Sequence, residues 1–330
     1  MSNNPLHPPY ENLTPDLILR ALEDLGFPCD GRLLALNSYE NRVYQIGIEG
    51  NHPVIAKFYR PGRWSKAAIL EEHAFALELA SHEIPIVAPL ADDASLTLHE
   101  LPEGFLFAVY PRCGGRWPDL ELREQRQQMG RFLGRLHAVG ASNAFQLRGR
   151  IDVPSLGDEP RRFLLDNDFI PGYLLEAYAS LTEDLLKQIH AAFAAAGPIA
   201  PIRLHGDCHK GNILWTDQGP HFVDLDDCRT GPPVQDLWML LSGDSDEMRL
   251  QLQDLLEGYQ MFFDFDYRSL VLIEALRTLR LMNYSAWIAS RWHDPAFPLA
   301  FPWFDSPRYW EEHILTLREQ ASALDYPPLL

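Results

Sequence analysis

The feature that most constrains this chain is a run of eight mostly polar residues, HGDCHKGN at 205–212, between two short apolar segments. Three of its residues, His205, Asp207 and Asn212, follow the spacing H-x-D-x-x-x-x-N, and Asp224 comes twelve residues after Asn212 inside an apolar run. Apolar flanks indicate strands that hold a loop in place, and functional side chains are concentrated on such loops. The spacing is that of a kinase catalytic loop. We therefore expect a kinase-like fold whose chemistry lies between His205 and Asp224.

The residue types in this run suit phosphoryl transfer. That reaction needs a carboxylate beside the attacking hydroxyl, to orient it and accept its proton, and Asp207 is predicted to take this role. It also needs Mg²⁺, which prefers a few hard oxygen ligands. Asn212 offers an amide oxygen and Asp224 a carboxylate, so both are predicted metal ligands, while His205 is expected to brace the loop by hydrogen bonding.

Two other interpretations of the run remain open at this stage. A turn rich in Asp, Gly and Asn can simply cap two strands, and a short motif match arises by chance. A zinc site built from His205, Asp207, Cys208 and His209 is the second alternative. It is disfavoured because ligands so close in sequence need unusual backbone geometry, and no paired cysteines complete the set. Asp224, placed in an apolar run at the right distance, favours the kinase interpretation.

The first third of the chain offers residues for binding ATP. The apolar segment 54–57 ends in Lys57, like the V-A-I-K strand whose lysine contacts the α- and β-phosphates. A glutamate on the following helix is expected to pair with this lysine, and Glu71 and Glu72 are both available. Only one can face inward at helical spacing. We favour Glu72, because Phe75 and Leu79 then share its face.

A phosphate-covering loop is expected between the first two strands, where the sequence has NSYEN at 37–41 and lacks G-x-G-x-x-G. Ser38 can donate its hydroxyl and backbone N–H to a phosphate, and Asn41 can brace the turn. A plain polar turn is the alternative for each of them. Residues 107–112 are predicted to form the hinge, with backbone groups for the adenine edge.

These segments predict an α+β, two-lobed protein-kinase-like fold. Residues 1–111 are expected to form a small, sheet-containing, ATP-binding N-lobe. Residues 112–330 are expected to form a larger, mainly helical C-lobe with the catalytic loop, the metal site and the acceptor site. The boundary falls at the segment 111–118, which is rich in Gly and Pro. The tail from Pro295, rich in Pro and aromatic residues, is expected to pack on the surface of the second lobe.

Composition narrows the partners. The formal net charge of -18 argues against nucleic-acid binding, which needs a basic footprint. No apolar segment is long enough to span a bilayer, and the first residues lack a signal-peptide pattern. The four separated cysteines suit free thiols in a reducing compartment. We therefore expect a cytoplasmic monomer that binds ATP and has no nucleic-acid or membrane partner.

In these motifs the chain resembles the aminoglycoside phosphotransferase and choline kinase superfamily. The resemblance rests on the loop at 205–212, on DLDD at 224–227 and on GPPVQDL at 231–237. Within the superfamily, further segments resemble a bacterial group of serine/threonine protein kinases that act in stress protection. These segments are LNSYENRVYQ at 36–45, KFYRP at 57–61, residues 204–215, DLWMLL at 236–241 and DPAFP at 294–298.

The resemblance implies a cytoplasmic kinase that uses ATP and Mg²⁺ and phosphorylates a protein. By motif match it implies that Asp207 is the proton acceptor and that Asn212 and Asp224 are the metal ligands, with Asp224 also essential for catalysis. It further implies that Ser38 lies at the ATP site. Asp236 matches a structural aspartate that braces the catalytic loop from the start of a helix. A carboxylate that merely favours the helix dipole is the alternative for Asp236.

The chain also departs from ordinary protein kinases. D-F-G is replaced by the residues 224–226, and His209 stands where a lysine is usual. The short run from Asp224 to Asp236 leaves no room for an activation loop, so no switching by phosphorylation of such a loop is expected. These residues by themselves favour a kinase for a small hydroxylated molecule, which is the alternative function. A scaffold that binds nucleotide without catalysis is disfavoured, because the motif residues of a working kinase are all present.

Overall fold

The structure is a computed structural model that describes residues 8–325 of the 330. Within these residues the helices are α1 (Pro15–Glu23), α2 (Lys66–Ser81), α3 (Arg123–Ala141), α4 (Glu159–Asp166), α5 (Gly172–Ala196), α6 (Val234–Trp238), α7 (Ser245–Tyr259), α8 (Leu272–Ala289), α9 (Ala296–Ala300) and α10 (Pro307–Asp325). The strands are β1 (Cys29–Ala35), β2 (Arg42–Ile48), β3 (Val54–Phe58), β4 (His99–Glu100), β5 (Leu106–Pro111), β6 (Ile202–Leu204), β7 (Ile213–Thr216), β8 (Gly219–Phe222) and β9 (Arg229–Gly231). The predicted α+β class is confirmed.

The described chain forms two compact units. The first contains residues 8–118 together with Gly211–Asp226, and the second contains Asp119–Lys210 together with residues 227–325. This division differs from the predicted lobes, because the segment 211–226 packs with the first unit. The assignment of ATP binding to 1–111 and of acceptor binding to 112–330 stays a prediction. No helix in the described part of the chain is both long and apolar enough to cross a membrane.

The first unit is built on an antiparallel sheet in the order β1-β2-β3-β5-β4. Strand β3 lies in the middle and turns Ala56 and Phe58 into the apolar core shared with α1. Because side chains alternate along a strand, Lys57 points to the opposite face. The side-chain oxygens of Thr14 and Ser65 cap α1 and α2 by accepting from backbone N–H groups of the first turn. The strand register therefore decides that Lys57 faces away from the main core.

The β7–β8 hairpin belongs to the same unit. Ile213 pairs with Phe222, so the next residue on each side, Asn212 and Val223, also face each other. The Val223 N–H donates to the Asn212 carbonyl at 3.0 Å. Phe222 is bridged on its other side to the segment at Ile86. The ends of the hairpin are thus held by backbone hydrogen bonds next to Asp224.

The second unit is mainly helical. Its apolar core gathers residues of α4, α5, α8 and α10. Helices α3 and α7 approach unusually closely, because glycines stand at the contact: a Cβ added at Gly130 would lie 1.9 Å from the Leu255 carbonyl oxygen. Gly134 plays the same part against Tyr259. This close contact brings the end of α7 to the catalytic-loop side of α3.

The prediction for the tail was wrong. Phe297, Phe304 and Trp310 are fully buried in the core of the second unit, and the tail contains α9 and α10. Pro295 directly precedes α9 and Pro307 is the first residue of α10. Proline is tolerated there, because the first N–H groups of a helix have no intrahelical partner. The prolines therefore mark the starts of helices, and the tail belongs to the core of the second unit instead of its surface.

Candidate active site

The first unit holds a buried cation among carboxylates. Lys57 is only 7% exposed, and its Nζ lies 2.9 Å from Asp224 Oδ1, 3.3 Å from Asp226 Oδ1 and 3.7 Å from Glu72 Oε1. Burial by itself would lower the pKa of Lys57, but the charges of Asp224, Asp226 and Glu72 raise that pKa well above its usual value. Lys57 is therefore a permanent cation at this place.

Helix α2 supplies the glutamate of this cluster. Glu72 is 2% exposed and its carboxylate is the one that reaches Lys57, whereas Glu71 is partly exposed one position away on the helix. Phe75 and Leu79 are buried on the same side as Glu72. Glu72, the glutamate predicted from helical spacing, is therefore the one that the structure brings to the lysine.

A series of side-chain hydrogen bonds connects the residues that neighbour Lys57 and Glu72 in sequence. The Tyr59 hydroxyl is 2.7 Å from His73 Nε2 and 2.9 Å from the Tyr110 hydroxyl, and His73 Nδ1 is 2.9 Å from Thr97 Oγ1. Tyr59 follows Lys57 by two residues and His73 follows Glu72 by one. These hydrogen bonds thus connect the residue that follows β3 to α2. They limit the movement of both members of the Lys57–Glu72 pair.

A second set of charges surrounds Asp226, which is 3% exposed. Arg63 forms an ion pair with Asp226 and also lies 3.7 Å from Glu40 Oε2. Arg60 Nε is 3.6 Å from Glu40 Oε1. With the three carboxylates at Lys57, the first unit therefore gathers four carboxylates around three cations. The excess of negative charge suits a site that receives a dication.

Asp224 stands directly after the hairpin. Its φ of +61° is in the left-handed region, which Asp tolerates better than most residues other than glycine. Its side chain is 52% exposed, and the hairpin register puts its backbone one residue beyond the contact of Asn212 with Val223. An amide oxygen and an accessible carboxylate are donors of the kind that Mg²⁺ prefers. Asn212 and Asp224 therefore fit the predicted metal.

The zinc alternative is not supported. Among residues 8–325 no group of three or more His, Cys, Asp or Glu side chains is arranged to hold a metal ion. Cys208, one of the proposed zinc ligands, is fully buried, and burial raises the pKa of its thiol well above its usual value. A neutral thiol is a poor metal ligand. Mg²⁺ does not need a cluster of three or more protein ligands, because it keeps waters and substrate phosphates among its ligands.

Ser38 lies in the turn between β1 and β2. Its hydroxyl donates to the Asn41 carbonyl at 3.0 Å, and Asn41 Oδ1 accepts from the Arg60 N–H at 3.0 Å. Asn41 thus braces the turn, as the sequence predicted. The Ser38 hydroxyl is used inside the turn, which leaves its backbone N–H as the group to offer a phosphate. The prediction that Ser38 binds ATP stays a prediction.

The second unit holds the predicted base. Asp207 Oδ1 is 2.5 Å from Arg280 Nη1, and its Oδ2 is 3.4 Å from His209 Nε2. Burial raises the pKa of Asp207, but the hydrogen bond to His209 and the charge of Arg280 outweigh it and hold that pKa below its usual value. Asp207 is therefore ionised at neutral pH, as an acceptor of a hydroxyl proton must be.

Asp236 braces the backbone of the catalytic loop, and this prediction is confirmed. Its carboxylate accepts from the N–H of His205 and the N–H of Gly206, both at 2.9 Å. Asp236 is fully buried, and His137 Nε2 lies 3.1 Å from its Oδ2. Gly206 has a φ of +86°, and a Cβ there would lie 2.2 Å from the Asp227 carbonyl oxygen. The backbone beside Asp207 can take this path only with glycine.

Several residues around these sites were not found from the sequence. Arg280 lies 73 residues after Asp207 on α8, with no motif around it. The His137 ring, whose Nδ1 is 2.7 Å from the Tyr259 hydroxyl, is likewise recruited from a distant helix. Asp226 did carry a signal, because it belongs to the acidic run at 224–227. Only its burial shows that it faces the lysine.

The sequence of this chain matches a known protein family. Residues 32–272 match the family described as the phosphotransferase enzyme family. The matched part includes the lysine strand, the catalytic loop and the hairpin described above. The chain belongs to the phosphotransferase enzyme family, and it is an ATP-dependent phosphotransferase.

Curated relatives give a narrower class. The chain is 46% identical over 320 residues to a stress response kinase A of Escherichia coli strain K12, covering 97% of this chain and 96% of that protein. It is 44% identical, with the same coverage, to a protein of Salmonella typhimurium named serine/threonine protein kinase RdoA. The resemblance to a bacterial group of stress-response kinases is thereby confirmed.

A solved structure supports the fold. The chain is similar to an amicoumacin kinase in complex with AMP-PNP, Ca²⁺ and Ami, with a TM-score of 0.74 and 20% identity. The match covers 92% of this chain and 93% of that one. The kinase-like fold predicted from the sequence is therefore confirmed.

Proposed function

We propose that this phosphotransferase is a serine/threonine protein kinase that transfers the γ-phosphoryl group of ATP to a protein hydroxyl in bacterial stress protection. The observation that carries the proposal is that a complete set of phosphoryl-transfer residues occurs in a chain 46% identical to a stress response kinase A. The relative named as a serine/threonine protein kinase supports a protein as the acceptor. The protein is proposed to act in the cytoplasm as a monomer.

ATP is assigned to the first unit. Lys57 contacts the α- and β-phosphates, and Glu72 keeps its ammonium group in place. The backbone N–H of Ser38 is proposed to contact a phosphate, since the hydroxyl is engaged with Asn41. Residues 107–112 are proposed to offer backbone groups to the adenine edge.

The metal is assigned to Asn212 and Asp224. When bound, Mg²⁺ neutralises charge on the β- and γ-phosphate oxygens. Asp224 is the more accessible of the two carboxylates closest to Lys57, so it is the one available for this role. The buried Asp226 holds Lys57 and Arg63 instead.

The reaction itself requires little from the protein beyond positioning. Asp207 accepts a hydrogen bond from the acceptor hydroxyl and takes its proton as the new oxygen–phosphorus bond forms. The bond between the γ-phosphorus and the bridging oxygen breaks, and ADP leaves with that oxygen. Asp236 fixes the loop backbone at the N–H groups of His205 and Gly206, just before Asp207, so the Asp207 carboxylate keeps one orientation.

A small hydroxylated acceptor is the second candidate. It is favoured by the short connection after Asp226, where β9 and α6 follow at once and no activation loop intervenes. Small-molecule kinases do not need such a loop to order a peptide. The same roles for Asp207, Asn212 and Asp224 would then apply to a different alcohol.

One experiment separates the two candidates. The protein is incubated with ATP labelled in the γ-phosphate, either with a generic protein substrate or with a panel of amino alcohols and sugars. We expect label in the protein, and about 10²–10⁴-fold slower labelling with Asp207→Ala. Strong turnover of a small alcohol without protein labelling would replace the proposal by the alternative.

A further inference from the structure

Arg280 is the cation that contacts the proposed base. Its Nη1 is 2.5 Å from Asp207 Oδ1, and within residues 8–325 this is the one hydrogen bond or ion pair that the guanidinium makes. The side chain is 43% exposed, although it extends from α8, whose other face is core. Most of the five N–H donors of this arginine are therefore left for another group.

The position of Arg280 can be related to the acceptor. A hydroxyl bound to Asp207 lies about 3 Å from a carboxylate oxygen. The guanidinium lies at the same carboxylate, so hydroxyl and guanidinium are within about 6 Å of each other. The planar guanidinium fork matches a carboxylate or phosphate in two parallel hydrogen bonds. An acceptor that carries such a group next to its hydroxyl can be held at both points.

The charges around the loop at 205–212 also favour an acceptor that carries an anionic group. His209 is the second partner of Asp207, at 3.4 Å, and the neighbouring Asp227 is paired with Arg229 at 3.3 Å. Asp207 and Asp227 thus each have an arginine as a cationic partner within the second unit. A cationic acceptor would have to approach Arg280 against like charge. In a chain of net charge -18, an anionic acceptor needs a local cation of this kind.

We infer that Arg280 is a specificity-determining residue that selects acceptor hydroxyls flanked by an anionic group, as in a serine or threonine beside acidic residues. The inference rests on the proposed function for the role of Asp207 and for the protein acceptor. An anionic group beside a hydroxyl also occurs in small hydroxy acids. The experiment therefore includes both sources.

The test compares charge preference in the wild type and in two variants. The probes are serine peptides flanked by Glu, Gln or Lys, together with a small hydroxy acid and an amino alcohol of the same size. The full-length variants are Arg280→Gln and Arg280→Glu. Arg249→Glu is the matched control, because Arg249 is an exposed arginine in an ion pair on α7 of the same unit and the change in net charge is equal.

We expect wild type and Arg249→Glu to phosphorylate the Glu-flanked peptide with a kcat/KM at least about tenfold above the Lys-flanked one, a ratio that corresponds to about 1.4 kcal/mol. Arg280→Gln should lose this preference, and Arg280→Glu should reverse it. A merely structural role of Arg280 would lower all rates together without reversing the order. Equal rates in the wild type, or an unchanged preference in Arg280→Glu, would overturn the inference.

Failure of the proposed function gives a different pattern. If peptides are not phosphorylated but the hydroxy acid is preferred over the amino alcohol, and Arg280→Glu reverses that order, Arg280 keeps its role and the protein acceptor is wrong. If the amino alcohol is preferred by the wild type, the inference is overturned. Transfer to none of these acceptors would overturn it as well.

Discussion

The two units place charge in opposite ways. In the first, one buried lysine is surrounded by three carboxylates, and Arg60 and Arg63 complete the cluster with Glu40. In the second, one carboxylate, Asp207, is contacted by two cationic or titratable partners. The first cluster has an excess of negative charge and suits a metal with a polyphosphate. In the second, the charge of Arg280 balances that of Asp207, and the remaining guanidinium donors suit an anionic acceptor.

The largest expected effect concerns the metal side of this comparison. Asp224→Asn keeps the shape of the side chain and tolerates the left-handed backbone, but it removes the accessible charge. We expect phosphoryl transfer to fall by about 10³-fold, in line with the loss of one electrostatic group at a reacting centre. Steady-state kinetics over a range of Mg²⁺ concentrations will measure this.

The control for that variant lies on the same hairpin. Asp217 is exposed in the turn between β7 and β8, so Asp217→Asn should leave the rate within twofold of the wild type, an effect of under about 0.5 kcal/mol. If Asp224→Asn and Asp217→Asn behave alike, Asp224 is not a metal ligand and the reading of the first cluster fails.

Stability should separate the two clusters next. Lys57→Met leaves buried carboxylates without their cation, and breaking a buried ion pair in this way costs about 3–5 kcal/mol of unfolding free energy. Arg280→Met removes a partner whose side chain is 43% exposed, which costs below about 1 kcal/mol. Urea unfolding of both variants, without nucleotide, gives the two values. Losses of equal size would show that burial does not distinguish the clusters.

A smaller loss of stability is expected at the brace of the catalytic loop. Asp236→Asn turns one of two accepting oxygens into a donor that faces the N–H of His205 or of Gly206. A buried donor without an acceptor costs about 1–3 kcal/mol, and the loop should loosen, so kcat should fall more than the affinity for ATP. Asp254→Asn serves as a control that also alters a buried carboxylate, since Asp254 pairs with Arg126 away from the loop. A loss of kcat in both variants would indicate a general effect of instability.

The smallest expected effect is a shift in pH dependence. Arg280 and His209 hold the pKa of Asp207 below its usual value. The base works when ionised, so the rate is lost as pH falls through this pKa. Removing one of the lowering groups in Arg280→Gln raises the pKa of Asp207, and the acid limb of the kcat profile should move to higher pH. An acid limb that stays in place, or moves to lower pH, would contradict the ion pair as the cause.

The sequence predicted those parts of the site whose signals are local. The loop at 205–212 lies between β6 and β7, and the register of the β7–β8 hairpin then brings Asn212 next to Val223. Glu72 followed from helical spacing against Phe75. In each case neighbouring residues along the chain decide the position of the side chain.

Contacts made between distant elements could not be found in the same way. Arg280 and His137 lie on helices that are far from the loop in sequence. No motif in their own segments indicates that they contact it or its brace. The tail failed for another reason. Its content of Pro and aromatic residues predicted a segment on the surface, whereas Pro307 begins a 19-residue helix whose Trp310 is core. Proline disrupts a helix in its interior but is tolerated in its first turn. The composition of the tail does not show which residue begins a helix.

The measurement that tests the central claim most directly is a paired assay of Asp207→Ala and the wild type. Binding of a non-hydrolysable ATP analogue with Mg²⁺ and transfer of labelled γ-phosphate to protein are measured on the same preparations. We predict that the variant binds the analogue with the affinity of the wild type while transfer falls by about 10²–10⁴-fold, the contribution of a general base. Transfer that persists at the wild-type rate would contradict the assignment of Asp207 as the base.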